Sequence, residues 1–415
     1  MIQRLSTLSA LCALLLAPAI VTLSREAFAE ESSAEHAHAT VSQRSEAEAV
    51  ERFVRALREI KNRYVEPLSD QELVDAAIRA MAARDRYSTY LKPDEYRRTT
   101  AENDGIFAGL GIRYEPQGSR VRITEAIPGS PAERAGLRLG DVILAVDQQA
   151  VDGHELTTVR QLLSGPLGAS VSLTVMRDGQ PTPFDVSVVR EEIRMPSVRQ
   201  AAVGAVGYLQ ILKFDRQTYA GVNTAIRTLR DQLGPDLRGF VLDLRNNPGG
   251  LVNASTKVAD AFLEQGTILT VRGRDRDSNR TYTARPGDET SGLPMVVLVN
   301  GKSASASEIL TGALKDHRRA VVVGTKTFGK GIIQSVMPFG GGGALKLTTA
   351  RYFTPAGSSI HEVGIMPDEV VAMDEAKPAP FPPKPMDDPQ LARALSILTA
   401  SVPTTGNAPQ RPAMR

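Results

Sequence analysis

Between residues 206 and 334, short apolar runs alternate with segments of helical periodicity, and this alternation restricts the fold more than any other feature of the chain. VGYLQILKF (206–214) has strand character, and Val222, Ala225, Ile226, Leu229 and Leu233 then recur at helical spacing. GFVLDLR (239–245) is a strand of the buried type, NNPGG (246–250) a tight turn, and VNASTKVADAFLEQG (252–266) a helix closed by Gly266. VVLV (296–299) stops at Asn300 and Gly301, after which Ile309, Leu310, Ala313 and Leu314 mark another helix. Strands that alternate with helices are joined by right-handed crossovers, so the spacing predicts an α/β core.

The same stretch carries the chemistry. A serine-rich loop, KSASAS, separates VVLV from its helix, and Ser305 with Glu308 has the S-x-x-E spacing of a capping box. That places Ser305 at a helix N-terminus, where orphan N–H groups and the dipole stabilise an oxyanion. A serine nucleophile needs a base, and the five histidines (His36, His38, His154, His317, His361) offer none that is well placed. His317 would lie roughly 18 Å along a continuous helix from Ser305. Lys330 is the better candidate, because FGKGII sets one amine among Phe328, Ile332 and Ile333, and a desolvated lysine loses its proton readily enough to act as a base. From residue types alone two plainer alternatives stay open: a serine that only caps a helix and a surface lysine between two glycines. Gly324 to Lys330 also matches G-x-x-x-x-G-K of a phosphate loop, but Gly331 replaces the magnesium-binding hydroxyl and IIQSVMPF reads as a strand. Pro248-Gly249-Gly250 lets backbone pass close to a ligand, so Gly249 or Gly250, with the Ala306 amide, is assigned to an oxyanion hole; a turn that merely needs positive φ is the alternative.

Residues 1–29 combine Arg4, an apolar run from Leu8 to Leu23 and small residues at Ala27 and Ala29, which is the pattern of a secretory signal peptide. The expected location is therefore outside the cytoplasm, in the periplasm or cell envelope; left uncleaved, the segment would associate the protein with the membrane. Cys12, the only cysteine, lies inside this run after Leu11, which argues against lipid attachment and leaves a mature chain without disulfides or thiol ligands. Removing 29 of 415 residues leaves 386, too many for one core. A formal charge of +2 gives no reason to expect a nucleic-acid partner, and no H-E-x-x-H pair points to a metal; no cofactor is expected. Residues 30–44 are polar, and Val50, Phe53, Val54, Leu57 and Ile60 then form the apolar face of a helix. Ser69 and Glu72 cap a second. Residues 105–179 read as a compact β-rich module with one helix near 157–163, whose Leu162 and Leu163 are either pocket wall or core. Residues 273–292 read as a polar loop, GGGG (340–343) as a hairpin turn, and 377–385 as a proline-rich linker before a last helix and a tail.

RNNPGG, NGKSASASEI, TFGKGIIQ and YFTPAG…GIMPD, in that order, resemble the carboxy-terminal processing peptidases, PDZ-containing serine/lysine proteases; the likeness runs from about residue 50 to about residue 400. The resemblance implies a multidomain α/β protein: a crotonase/Clp-protease-like catalytic core (187–376), an inserted PDZ domain (104–186) and an N-terminal helical cap (45–103), followed by the proline-rich linker, a C-terminal helix and a disordered tail (377–415). It makes Ser305 the nucleophile and Lys330, 25 residues on, the general base, demotes Ser303 and Ser307, and adds Gln334 as partner of the amine and Asp316 as a supporting residue. Within the β-rich module Gly109-Leu110-Gly111-Ile112, followed by SPAERAGL and GDVILAVD, resembles the carboxylate-binding loop of a bacterial PDZ domain. The resemblance implies protein C-termini as partners and, through the N-terminal helices, a second copy, with packing of those helices against the core as the alternative; an adaptor protein is a further candidate. Ser358 stands where the family commonly has arginine. The expected activity is that of an endopeptidase cutting near substrate C-termini through an acyl-enzyme; the alternative is a silent PDZ scaffold that binds C-termini without cutting.

Overall fold

The computed structural model describes residues 45–274, 276–374 and 381–400; the signal segment, residues 30–44, the start of the proline-rich linker and the tail lie outside the described residues. The chain divides into two compact units after Met81. In the first, helix α1 (45–63) and helix α2 (Asp70–Ala82) are joined by a short turn. Ser69 and Glu72 form the expected capping box: Glu72 Oε2 accepts the Ser69 N–H at 2.9 Å and Ser69 Oγ accepts the Glu72 N–H at 3.2 Å. Lys61 pairs with Asp70 across the turn at 2.6 Å. Val50, Phe53, Val54 and Ile60, the apolar stripe of α1, are exposed. No helix among the described residues is long and apolar enough to cross a membrane.

The second unit opens with strand β1 (Thr89–Leu91) and helix α3 (Pro93–Asn103), which lead into the β-rich module. GIFAGLGIRYE is not one strand. It breaks at Leu110 and Gly111 into β2 (Ile106–Gly109) and β3 (Ile112–Gln117), and these belong to different sheets. After β3 come β4 (Arg120–Ala126), a turn of helix α4 (Pro131–Arg134), β5 (Val142–Val146), β6 (Gln149–Ala150), helix α5 (Leu156–Leu163), β7 (Ser170–Met176) and β8 (Phe184–Val189). Their sheet runs β3-β4-β5-β7-β8, with β6 beside β5. Val171, Leu173 and Val175 of β7 alternate inward onto Ile123, Ile143 and Val159 to make a core of the module's own. Leu163 is buried in that core and Leu162 packs half-buried against it. The chain leaves through β9 (Glu191–Arg194), which pairs antiparallel with β2, so one two-stranded ribbon forms the stem of the module.

Strands β10 (Val198–Val203), β11 (Val206–Ile211), β12 (Gly239–Asp243), β15 (Met295–Val299), β16 (Val321–Gly324) and β19 (Glu369–Val370) form the central sheet in that order; all its pairs are parallel except β10–β11. Its two faces read directly from alternation. Leu209, Ile211, Leu242, Val297 and Val322 meet helices α6 (Thr218–Leu233), α7 (Val252–Asp260) and α8 (Ala306–Asp316), while Tyr208, Val241, Val296, Leu298 and Val323 meet helix α9 (Pro389–Ala400). With both faces covered, β11, β12 and β15 are buried throughout. A second sheet runs β1-β18-β13-β14, with β17 also paired to β18; it consists of β13 (Thr267–Gly273), β14 (Arg280–Thr283), the hairpin β17 (Ile332–Phe339) and β18 (Gly343–Phe353), plus β1.

Two expectations change. The α7 helix stops at Asp260 rather than running to Gly266, because Phe262 and Leu263 turn into the core. The polar stretch 273–292 contains β14, which pairs with β13. The last helix forms where the sequence places it, and Leu391, Ala394 and Leu398 of α9 complete the core on one face of the central sheet. Its N-terminus is tied down as well. Asp388 Oδ1 accepts the Leu391 N–H at 2.9 Å and the Arg245 guanidinium at 3.0 Å, while Arg245 also binds Asp243, all three side chains buried.

Candidate active site

All the parts of the site but one are brought in by the carboxyl ends of the parallel strands and by the β17–β18 hairpin. RNNPGG leaves β12, and each of its asparagines makes a specific bond. Asn246 and Asn300, after β12 and β15, exchange hydrogen bonds at 2.9 and 3.0 Å. Asn247 Nδ2 donates to the Ile211 carbonyl at 2.7 Å, and its own carbonyl accepts the Ala304 N–H and the Ser307 hydroxyl, both at 3.0 Å. Ser303 Oγ donates to the Leu244 carbonyl at 2.8 Å. Ser303 and Ser307 are therefore buried and engaged, and Ser305 between them is half-buried.

Ser305 stands before the first residue of α8 with φ +56° and ψ −113°, a region that L-residues with side chains rarely occupy. Only half of the expected capping box exists. Glu308 Oε2 accepts the Ser305 N–H at 2.8 Å, but the Glu308 N–H goes to the Ser305 carbonyl, so the hydroxyl makes no cap hydrogen bond. The turn 248–250 lies directly on it. A Cβ on Gly249 would sit 2.8 Å from Ser305 Cβ and 2.9 Å from the Ala306 nitrogen, and Gly249 has φ +100°. The two oxyanion glycines differ, however. The Gly249 N–H donates to Asn247 Oδ1 at 2.9 Å and is not free to bind an oxyanion. Gly250 bridges in parallel to Phe214, through Phe214 N–H to the Gly249 carbonyl and Leu251 N–H to the Phe214 carbonyl. This leaves the Gly250 N–H pointing away from Phe214. Neither the Gly250 nor the Ala306 N–H meets an acceptor among the described residues.

Lys330 sits in the loop that enters β17. Two side chains fasten this loop to the serine. The Glu308 carboxylate, fully buried, accepts from Thr327 Oγ1 (2.6 Å), Gly329 N–H (2.7 Å) and Lys330 N–H (2.8 Å) in addition to Ser305 N–H. Tyr352 of β18 places its hydroxyl 2.6 Å from the Lys330 carbonyl and 3.0 Å from the Ser305 carbonyl. Glu308 thus does far more than cap a helix. The sequence offers S-x-x-E as its only sign, and four donors from two segments cannot be read from that. Burial pushes its carboxyl up against the opposing pull of those donors.

Lys330 Nζ donates to Gln334 Oε1 at 3.0 Å, a contact that spacing along an extended strand would not make; β17 carries an irregularity between Ile333 and Gln334. The half-buried amine has its pKa lowered, first by burial and then by Lys346, with Asp85 opposing and Arg86 adding to the shift. The aromatic neighbour is not Phe328, which is 48 % exposed, but Tyr87, whose ring centroid lies 4.7 Å from Nζ. His317 caps the far end of α8 with Nε2 2.7 Å from the Thr267 carbonyl. Asp316 accepts the Ala356 N–H at 2.9 Å, so it holds the TPAG loop rather than the lysine loop.

In the β-rich module, Leu110 is buried in the core, and neither its N–H nor that of Gly111 meets an acceptor among the described residues. Gly109 ends β2, and Ile112 begins β3, which pairs with β4 alone and so leaves one edge open for a further strand.

The pattern of peptidase family S41 matches residues 205–371, that of a PDZ domain residues 122–177, and that of the activating protease CtpB N-terminal domain residues 16–95. The chain is 39 % identical over 322 residues to a carboxy-terminal-processing protease of Bartonella bacilliformis, covering 77 % of this chain and 74 % of that one. It is 36 % identical over 373 residues to a carboxyl-terminal-processing protease of Synechocystis sp., covering 86 % and 84 %. A solved structure from Bacteroides fragilis assigned to the S41 proteases shares the fold at a TM-score of 0.54 and 19 % identity, covering 81 % of this chain and 91 % of that one. These likenesses span the peptidase core as well as the PDZ module, which sets aside the silent scaffold.

Proposed function

The chain belongs to the carboxy-terminal-processing proteases of peptidase family S41 and is a serine-type peptidase, and on that premise we propose that Ser305 is its nucleophile, Lys330 the general base and Gln334 the residue that holds the amine. The observation that carries this assignment is the double fastening: Glu308 and Tyr352 each bind both the serine segment and the lysine segment, so the two are fixed as one unit. Ser305 has the free hydroxyl and Lys330 the lowered pKa that such a pair requires. Ser305 Oγ attacks the scissile carbonyl carbon as its proton passes to Lys330 Nζ. The carbonyl oxygen, now negative, takes the N–H groups of Gly250 and Ala306, with Gly249 serving as the contact that seats the turn on Ser305. The amine then protonates the departing peptide nitrogen, and a water deprotonated by the same lysine releases the acyl group from Ser305.

The free N–H groups at Leu110 and Gly111 beside an open strand edge suit a peptide that ends in a carboxylate, so the PDZ module selects C-termini for the core to cut. With residues 1–29 as a signal peptide, the site of action is the cell envelope. The exposed apolar face of α1 fits an oligomer or an adaptor protein. The test is hydrolysis of a peptide with a free C-terminus and of the same peptide amidated. Ser305→Ala and Lys330→Ala each abolish turnover while the variants stay folded, and amidation slows the intact enzyme. A Lys330→Ala protein that cuts at near-normal rate overturns the assignment.

A further inference from the structure

A strap formed by residues 85–91 crosses the lysine, although nothing in the reaction above requires it. Asp85 Oδ1 accepts the N–H groups of Tyr87 and Ser88, both at 2.7 Å, and closes a turn. Ser88 is buried, and its Oγ accepts the Thr348 N–H at 3.0 Å. β1 then pairs with β18 from Thr89 opposite Lys346 to Leu91 opposite Ala344. The strap is therefore fastened to the strand beside β17, and it presents Tyr87 to the amine.

Tyr87 acts there in two ways. Its main-chain carbonyl accepts a hydrogen bond from Gln334 Nε2. A carbonyl can only accept, so it fixes which end of the Gln334 amide turns toward it and leaves Oε1 directed at Lys330 Nζ. Its ring lies over the amine at 4.7 Å and is also covered by Arg86 at 4.8 Å. The Tyr87 hydroxyl is buried with no partner among the described residues, which makes the ring and the carbonyl the working parts.

We propose that Tyr87 is a positioning residue of the peptidase: its carbonyl sets the rotation of Gln334, and its ring keeps water from the amine of Lys330. This rests on the assignment of Lys330 as base. The charged groups that act on that amine are Lys346 from β18 and Asp85 and Arg86 from the strap, while Glu308 meets the lysine at its main-chain N–H. Asp85 favours the charged amine; Lys346, Arg86 and the dry setting disfavour it. An aromatic face attracts a cation, but it also excludes the water that would solvate one, and burial is the first cause of the lowered pKa, ahead of Lys346. Removing the ring should therefore make the amine easier to protonate.

The experiment is the pH dependence of kcat for the full chain on one quenched peptide, with Tyr87→Ala, Tyr87→Phe and Lys330→Ala, alongside melting temperature and binding of a free C-terminal peptide as controls of folding. Tyr87→Ala is expected to lower kcat on the order of tenfold or more. KM should stay within about twofold, since substrate binding is not touched. The acidic limb should move to higher pH. The main-chain carbonyl remains in every variant and Tyr87→Phe also keeps the ring, so it should return the limb to its original position and most of the rate. Should the alanine variant melt below the assay temperature, Tyr87→Leu gives a shift of the same sign and smaller size. A limb that stays in place in Tyr87→Ala, or that moves equally in Tyr87→Phe, overturns the role of the ring. Substantial activity in Lys330→Ala overturns the base instead, and the two failures are thereby told apart.

Discussion

The serine half and the lysine half of the site are built on opposite plans. Ser305 lies in the loop after a parallel strand, whose neighbouring residues are held by main-chain and asparagine bonds to the turn after the adjacent strand, while Glu308 and Tyr352 take its own N–H and carbonyl. Lys330 enters an antiparallel hairpin in the other sheet, and what conditions it is side chains: Gln334 next to it, Tyr87 from far back in the chain and Lys346 across the ladder. A nucleophile needs a fixed place for its oxygen and for the negative charge that follows, which backbone geometry supplies. A base needs a particular pKa, which only an assembled environment can supply.

The change that strains this division most is at Glu308, because it serves both halves. Glu308→Ala would leave four donors unsatisfied in a buried place, and each orphaned group costs about 1–3 kcal/mol. The expected result is loss of several kcal/mol in denaturant melts together with loss of activity. Glu308→Gln retains shape but turns a donor toward donors, and it should recover part of the stability and little of the turnover. A Glu308→Ala protein of ordinary stability would mean that the halves are held together by other bonds.

Gly249→Ala should break the serine half alone. Its Cβ would overlap the Ala304 carbonyl at 2.6 Å and Ser305 Cβ at 2.8 Å, at a φ that disfavours any side chain. Displacing the turn should cost roughly 10²–10³ in kcat, the scale of losing one oxyanion donor. The acidic limb of the pH profile, which belongs to the lysine, should not move, and a shifted limb would show that the halves are not separable.

The smallest effect is on stability and belongs to the lysine half. The pKa of Lys330 lies below its ordinary value of 10.5 in the folded chain, so the unfolded chain binds more protons between the folded pKa and 10.5. Stability therefore rises with pH across that window, and the cost of burying the amine is present in full below it. Lys330→Met should stabilise the protein at neutral pH, with the gain fading as the pH approaches 10.5; a gain that does not depend on pH would assign it to packing instead.

How much of this could be read from sequence follows the same division. The order of strands and helices, the NNPGG turn, the serine-rich loop and the loop carrying Lys330 all announce themselves through local pattern, since alternation and turn chemistry act over a few residues, while the demotion of Ser303 and Ser307 came from the resemblance. The resemblance supplied Gln334 and Asp316, and the structure shows their contacts. Tyr87 was not legible, because its partners lie on a hairpin far along the chain and YSTY (87–90) looks like any short strand. Phe328 was read as the shield of the amine for being next to it in sequence, yet it points outward. The choice between Gly249 and Gly250 needed the Asn247 side chain, which decides it by occupying one of the two N–H groups. The helix α9 is legible as a helix after a proline-rich stretch, but its docking on the central sheet is not, because nothing in its own residues shows that Arg245 is waiting for Asp388.

That last contact sets an order of events. Arg245 begins the turn that seats the oxyanion glycines, and it is neutralised partly by Asp388, at the start of the last described helix. A chain that emerges N-terminus first has its nucleophile and its lysine long before it has Asp388, and until then Arg245 lacks one of its two carboxylates and one face of the central sheet is bare. Breaking a buried pair of this kind costs about 3–5 kcal/mol, enough to keep the turn from settling. The turn at the active site is therefore expected to settle only once the last described helix has docked on the central sheet.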